Sequence, residues 1–469
     1  MAPAVWAALM RMPGAAPRHS LYDGDPRKLA RWRTSAHAPP GIAVWELTLR
    51  CDLGCRHCGS RAGRPRPREL STAEALDLAR ALGKLGVKEV ALIGGEFYLR
   101  DDWDRIAAEV TRCGMLCSVV TGARQLTPAR VERARRAGVG KISISIDGLA
   151  QTHDQLRGSA GSWRAAIDAA RRVAASGIDL SVNSQINRLT MPELPAIADL
   201  LVDIGARSWM VILTAAMGRA ADAPALMLQP YHLLHLFPLL AAIKRERLDP
   251  NGIAFFPGNN VGYFGPLAEA LRYGAERGHA WSGCAAGEAT LGIEADGSIK
   301  GCPSLPSADY VRGNVRDRPL ADIAAALARE HDASSVKTSP VETSPVKTSP
   351  VETWGFCGRC PFAHRCRGGC TWTSHVLFGR PGNNPLCHFR ALRFAAAGIG
   401  ETLEPIAPAP GQPFDHGRYR IVEAPLGDLL ANDPVVARTA ASSAFGISAG
   451  APSLWSPDEL ADALRPGAQ

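Results

Sequence analysis

The run Ile42-Ala43-Val44-Trp45-Glu46-Leu47-Thr48-Leu49-Arg50-Cys51-Asp52-Leu53-Gly54-Cys55-Arg56-His57-Cys58 carries a β-rich segment straight into three cysteines spaced by three and two residues. Three thiolates on one short irregular loop can hold three corners of a four-iron cube and leave the fourth iron bare for a small molecule. Gly54 supplies the bend that lets the loop wrap such a cluster. A structural zinc ion is the main rival; it wants four tetrahedral ligands, and His57 is flanked too tightly to turn back onto the same ion. Ordinary buried thiols are the third reading.

Downstream of the loop, strand and helix signals alternate. Residues 42–49 read as a first strand. Ser71-x-x-Glu74 forms a capping box for a helix running through Leu85. Residues 87–93 read as an apolar strand ending in Gly94-Gly95-Glu96, followed by a helix from about Asp102 that stops before Gly114. Residues 116–121 read as a third strand, and Thr127-Pro128 as a cap and first-turn proline of the next helix. Residues 142–146, 180–184 and 209–213 continue the strands, with helices expected at 162–176 and 192–204. Such alternation predicts parallel strands joined by crossover helices, with ligands gathered at the C-terminal strand ends. The cysteine loop, Gly94-Gly95-Glu96 and Asp147-Gly148 all fall at such ends.

A second set of cysteines lies in the C-terminal half. It runs from Cys284 through Gly297 and Cys302 to Cys357-x2-Cys360-x5-Cys366-x3-Cys370, and closes at Cys387. Residues 291–300 read as a β-hairpin turning at Asp296-Gly297, which brings Cys284 and Cys302 to its base. Ten of the twelve cysteines thus sit in two patterns. Cys113 and Cys117 match neither and are expected in the core, and His232 and His235, at helical spacing, read as surface or core rather than as ligands.

The first cysteine loop resembles the hallmark C-x3-C-x-aromatic-C of the radical S-adenosylmethionine (SAM) superfamily, with His57 standing where that family usually has an aromatic residue against the adenine. The distal set resembles the family's SPASM extension in all seven cysteines and the glycine. The two resemblances run from about residue 41 to about residue 390. They imply an α/β fold: a partial (β/α)6 TIM-like barrel over residues 41–250, then a small, loop-rich SPASM domain over 251–395 with a β-hairpin and two auxiliary iron–sulfur clusters. The implied cofactors are SAM, a [4Fe–4S] cluster on Cys51, Cys55 and Cys58, and auxiliary clusters of the [4Fe–4S] type. Family precedent divides the latter between Cys284, Cys302 and Cys370, and Cys357, Cys360, Cys366 and Cys387. Gly94, Gly95 and Glu96 are implied to hold the amino group of SAM, and Arg157 its carboxylate. Ser145, Asp147, Asn183, Gln185 and Asn187 lie near the ribose by resemblance, and Met217 near the adenine. Each of these has a blander reading as a satisfied strand-end or core residue.

Composition agrees with a large enzyme. The 469 residues are 46% hydrophobic and 21% charged, enough for a sizeable core. No run of eighteen apolar residues appears, and the apolar opening Met1–Met10 has no basic leading region and is interrupted by Pro3, so neither a membrane span nor a secretory signal is read. Cysteines at metal spacings imply a reducing compartment, most simply the cytoplasm. A net charge of +8 and a cluster of arginines after the first cysteines invite a nucleic-acid partner; the lack of interleaved aromatics argues for a solvated basic face or an acidic-peptide dock instead. Residues 1–40 read as a tail too short for a fused leader-binding domain. The Ser-Pro-Val-Lys/Glu-Thr repeat at 336–353 reads as an extended low-complexity insertion. Residues 396–469 read as a Pro/Ala/Gly-rich tail with helical patterns near 425–441 and 456–464.

The resemblance implies reductive cleavage of SAM to a 5′-deoxyadenosyl radical that takes hydrogen from a ribosomally made peptide or protein, giving cross-linking, oxidation, epimerisation or excision. Implied partners are that peptide, a separate leader-binding protein and a one-electron donor such as flavodoxin or ferredoxin. Two other readings stand beside it: small-molecule oxidation, such as aminocyclitol dehydrogenation or tetrapyrrole side-chain tailoring, and a non-catalytic electron carrier. No residue is named as the acid or base acting on substrate.

Overall fold

Runs of β-branched and aliphatic residues buried on both faces form parallel strands, because only a sheet covered by helices on its faces removes them fully from water. A computed structural model describes residues 40–273, 281, 283–332 and 351–442. The expected N-terminal tail before residue 40, residues 336–350 of the repeat, and the helical pattern at 456–464 lie outside the described residues.

The strands and helices alternate as β1 (Ile42–Glu46), α1 (Thr72–Leu85), β2 (Glu89–Ile93), α2 (Trp103–Arg112), β3 (Leu116–Thr121), α3 (Pro128–Arg136), β4 (Lys141–Ser145), α4 (Ala150–Arg157), α5 (Ser162–Ala175), β5 (Asp179–Ile186), α6 (Leu194–Asp203) and β6 (Ser208–Leu213). Neighbouring strands pair in parallel from β1 to β6. The capping signals act as read. Ser71 and Glu74 form a reciprocal box at the start of α1, which ends on left-handed Gly86. Thr127 caps α3 ahead of Pro128. Cys117 is fully buried in β3 and Cys113 half-buried beside it, both as core.

The structure differs from the sequence reading in three places. β1 stops at Glu46 rather than 49; beyond it Leu47 N–H still donates to the Ile93 carbonyl, while the Thr48 and Leu49 carbonyls accept from Gly95 and Gly63 N–H beside the cysteine loop. Among the described residues the sheet holds ten strands, the six read from sequence and four more at its edges. After α7 (Leu233–Ile243), β7 (Ala254–Pro257) extends one edge along β6. On the other edge β8 (Thr290–Ile293) pairs in parallel with β1, so the expected Asp-Gly hairpin, β8 with β9 (Ser298–Lys300), is part of the barrel's own sheet, continued by β10 (Gly313–Asn314). Finally, residues 388–442 of the stretch beyond Cys387 are structured. After α8 (Leu320–Asp332), α9 (Thr371–Phe378) and α10 (His388–Ala395) come a β11–β12 hairpin (Ile399–Ala407, Arg418–Pro425) and two helices, α11 (Leu426–Asn432) and α12 (Pro434–Ser442).

The stretch Pro224–Asn251 is long and apolar enough by composition to cross a membrane, but it is mostly buried within the protein, as a core helix is. His232 and His235 lie within it and are buried, in keeping with the core reading.

Candidate functional site

The cysteine loop lies across the C-terminal ends of β1, β2 and β4 and is held by backbone and arginine contacts. Cys51 N–H donates to the Gly63 carbonyl at 3.2 Å, and Arg56 N–H to that of Leu156 at 2.8 Å. Arg219 donates from Nε to the Cys55 carbonyl at 2.7 Å and from Nη1 to that of Ala62 at 3.0 Å. Arg124 Nη1 donates to the Asp52 carbonyl at 2.6 Å. Cys55 is buried, and Cys51 and Cys58 are half-buried. Burial, with added repulsion from Glu96 and the other two cysteines, pushes the Cys51 thiol up to about 12; burial raises Cys55 as well, against the pull of Arg157. Thiols held protonated in this way give up their protons when a cation takes their place, so loading the loop with metal is coupled to proton release.

Gly94 and Gly95 are explained by the loop itself. A Cβ on Gly94 would sit 2.5 Å from the Thr48 carbonyl oxygen, and one on Gly95 would collide with that of Arg50. The same crowding places Glu96 under the cysteines. Its Oε2 accepts from Gly122 N–H at 2.9 Å, while Oε1 is buried with no hydrogen-bond partner. Asp52 Oδ1 is likewise buried and unpartnered. Burial raises the Glu96 carboxyl to about 8 despite hydrogen bonds from Thr121 and Gly122. An orphaned carboxylate oxygen beside three thiols fits a ligand that brings a positively charged donor, as the ammonium of SAM does.

Asp147, Arg157 and His57 are brought together into one buried group. His57 Nε2 donates to Asp147 Oδ2 at 2.9 Å. Arg157 pairs with the same carboxylate through Nη2 and reaches Cys55 Sγ from Nη1 at 3.6 Å. Gln185 N–H donates to Asp147 Oδ1 at 2.7 Å. Burial opposes the charge on Asp147, but Arg157 and His57 outweigh it and hold the carboxyl well below its ordinary range. His57 therefore faces a carboxylate through its Nε2.

The other sequence candidates divide. Ser145 and Asn183 are half-buried register partners at the ends of β4 and β5. Asn187 is spent locally: its Oδ1 accepts from Leu189 and Thr190 N–H, and its Nδ2 reaches Thr214. Met217 is buried with its sulfur 3.3 Å from Trp372 Nε1, in a small apolar cluster that borders Cys51 and Cys58. Next to it Gly218, at φ 59°, leaves no room for a side chain against Cys58 and Gly59.

Residues missed from sequence come from the tail. Asp415 accepts from Arg61 Nε at 2.7 Å and its carbonyl from Gly218 N–H at 2.8 Å. Phe414 receives Lys300 Nζ at 4.0 Å from its ring centroid. The period-2 alternation of Tyr419 and Ile421 in β12 was the available signal.

The distal cysteines form two groups. Cys357, Cys360, Cys366 and Cys387 line one small cavity of about 20 Å³, walled by Tyr263, Phe264 and Phe389. Cys284, Cys302 and Cys370 lie close enough to interact. Burial first, then repulsion from Cys284, pushes Cys302 up to about 11; Cys370, repelled also by Cys302, rises to about 12. Tyr263 ties the groups together, its hydroxyl accepting from Cys370 N–H at 3.2 Å and from Asn384 Nδ2 at 2.9 Å.

Comparison with known proteins agrees with this geometry. Residues 45–201 match the sequence family described as the Radical SAM superfamily. The chain is 27% identical over 378 residues to an AdoMet-dependent heme synthase of Oleidesulfovibrio alaskensis, covering 76% of this chain and 89% of that one. It is 28% identical over 416 residues to the mycofactocin maturase MftC of Mycobacterium tuberculosis, covering 87% and 96%. Its fold resembles Streptococcus suis SuiB bound to S-adenosylmethionine, with a TM-score of 0.53, 16% identity and 74% and 76% coverage. The matched residues 45–201 contain the three-cysteine loop at the strand ends of the parallel barrel, and the relatives that cover most of the chain are synthases and maturases, so the chain is similar to enzymes of that superfamily.

Proposed function

We propose that this chain is a radical SAM enzyme with a SPASM-type extension over residues 251–395 and a peptide or protein substrate. In this reading Cys51, Cys55 and Cys58 hold three irons and leave the fourth to SAM. Glu96, with its unpartnered oxygen, accepts from the SAM ammonium, and Arg157 pairs with the SAM carboxylate. Asp147 positions Arg157, and Met217, Leu53 and Trp372 keep water from the loop. When bound, the cluster and SAM supply one-electron cleavage of a carbon–sulfur bond, and with it the power to take hydrogen from an unactivated carbon.

The observation that carries the reading is the separate cavity lined by four cysteines. Four thiolates fully ligate a [4Fe–4S] cluster, and Cys284, Cys302 and Cys370 supply a second auxiliary set. Such centres accept an electron from the substrate, which an enzyme that only cleaved SAM would not need. A one-electron donor such as flavodoxin or ferredoxin, and a reducing, cytoplasmic setting, follow from the same redox demand. A peptide substrate is favoured by the SPASM cysteine pattern and by the maturase relative, whose match spans more of this chain than that of the heme synthase. The second reading, tailoring of a tetrapyrrole, is favoured by the heme synthase likeness itself.

Anaerobic incubation of cluster-loaded enzyme with SAM, dithionite and a short peptide encoded beside it separates the two. Release of 5′-deoxyadenosine with loss of a pair of hydrogens from the peptide, or deuterium uptake at unchanged constitution, is the expected result. An unaltered peptide, with conversion of an added iron porphyrin bearing propionate side chains, favours the second reading instead.

A further inference from the structure

Among the described residues, one cluster of histidine and carboxylate side chains lies outside the cysteine sites and is assembled from three distant parts of the chain. Asp309 comes from the helical turn Ser307–Tyr310, His375 from α9, and His416 from the loop between β11 and β12. One ligand atom of each lies within 4.8 Å of the other two. His375 Nε2 and Asp309 Oδ2 are 3.2 Å apart. The rings of His375 and His416 meet edge to face at 5.1 Å. Two donors each bonded at about 2.0–2.1 Å to one tetrahedral ion stand about 3.3 Å from each other, so the His375 and Asp309 donors already have the spacing of a shared ion.

The remaining ring nitrogens are occupied as ligating imidazoles require. His416 Nδ1 donates to the Gly417 carbonyl at 2.9 Å, which fixes the tautomer with the lone pair on Nε2. His375 Nδ1 lies 3.0 Å from the Tyr310 hydroxyl. That hydroxyl, an acceptor as well as a donor, accepts a hydrogen bond from Nδ1–H when Nε2 binds a metal. Outer hydrogen bonds of this kind orient metal-ligating histidines. A plain His375–Asp309 ion pair would account for neither the second histidine nor its tautomer. The Asp309 side chain is 50% exposed, which gives an ion a path in and leaves room for water on the outer side.

We propose that Asp309, His375 and His416 form a mononuclear site for a divalent first-row transition ion, separate from the iron–sulfur centres. Two imidazoles and one carboxylate suit Zn2+ or Fe2+; Mg2+ and Ca2+ want oxygen donors throughout. Three protein ligands leave a coordination position for water or an anionic group such as a carboxylate. The location gives the ion a structural consequence. His416 bridges to Met217 beside the first cysteine loop, and His375 sits on the helix capped by Cys370. The ion would thus clamp the C-terminal loop between the two thiol sites, whichever substrate the enzyme takes.

The test is Zn2+ titrated anaerobically into the full-length protein with its iron–sulfur clusters loaded, followed by desalting and metal analysis. About one zinc per chain is expected at unchanged iron content. His416→Ala and Asp309→Asn, the latter at a half-exposed position that spares the fold, are each expected to weaken binding by more than about tenfold. Wild-type protein that retains no zinc, variants that retain it with full affinity, or zinc gained only as iron is lost would each overturn the proposal.

Discussion

Glu96 shows how a single residue is set between two demands. Burial pushes its carboxyl up to about 8 from its ordinary 4.5, against the pull of Thr121, Gly122 and Arg157. A carboxyl whose folded value is raised gives stability that is whole below the unfolded value and is lost as pH rises through the folded one. The nucleotide-free protein should therefore lose stability between about pH 4.5 and pH 8 on account of Glu96, and Glu96→Gln should restore on the order of 2–4 kcal/mol near pH 9 while changing little near pH 5. Denaturant melts of both proteins at the two pH values check this. If the unpartnered oxygen serves the SAM ammonium, the same variant should bind SAM about 10–100-fold more weakly, since a charge-assisted hydrogen bond is lost. A stabilised protein with poorer binding is the signature of a residue kept for function.

At the scale of elements, the C-terminal helices are tied to the barrel by one carboxylate. Asp433, between α11 and α12, accepts from Arg188 Nη1 at 2.9 Å and Nη2 at 3.0 Å, from His232 Nε2 at 2.7 Å and from the Tyr231 hydroxyl at 2.5 Å. These partners outweigh the burial that opposes its charge and hold it well below its ordinary 3.8. Its contribution is present above pH 3.8 and is lost as pH falls through the lowered folded value. Asp433→Asn leaves Arg188 with half a partner and should cost about 3 kcal/mol, confined to the docking of residues 426–442. Hydrogen exchange should show those residues losing protection while β2 to β5 keep theirs. The helical pattern near 425–441 was legible in sequence as helix; its attachment was not, because Asp433 meets partners more than two hundred residues earlier.

Across the whole molecule, the cysteines occupy separate parts of one fold. The three-cysteine loop lies at the strand ends of the barrel, and the four-cysteine cavity is joined through Tyr263 to the Cys284, Cys302 and Cys370 group. On the proposed reading of three clusters, Cys366→Ser should lower the iron content from about twelve to about eight per chain, with SAM cleavage retained and product formation lost. Iron analysis beside 5′-deoxyadenosine and product assays reads all three, and an unchanged iron count would remove the four-thiolate site from the account.

The cysteine loop, the Gly-Gly-Glu strand end, the capping boxes and the Asp-Gly hairpin were legible because each is written in neighbouring residues, where spacing, turn chemistry and periodicity act directly. Folding in three dimensions alone decided the rest. It turned His57 toward Asp147, joined the hairpin to β1 as more of the same sheet, brought His375 and His416 together, and laid the tail over the barrel. Those contacts link segments far apart in sequence, and the burial that fixes their charges exists only once the chain has closed around them.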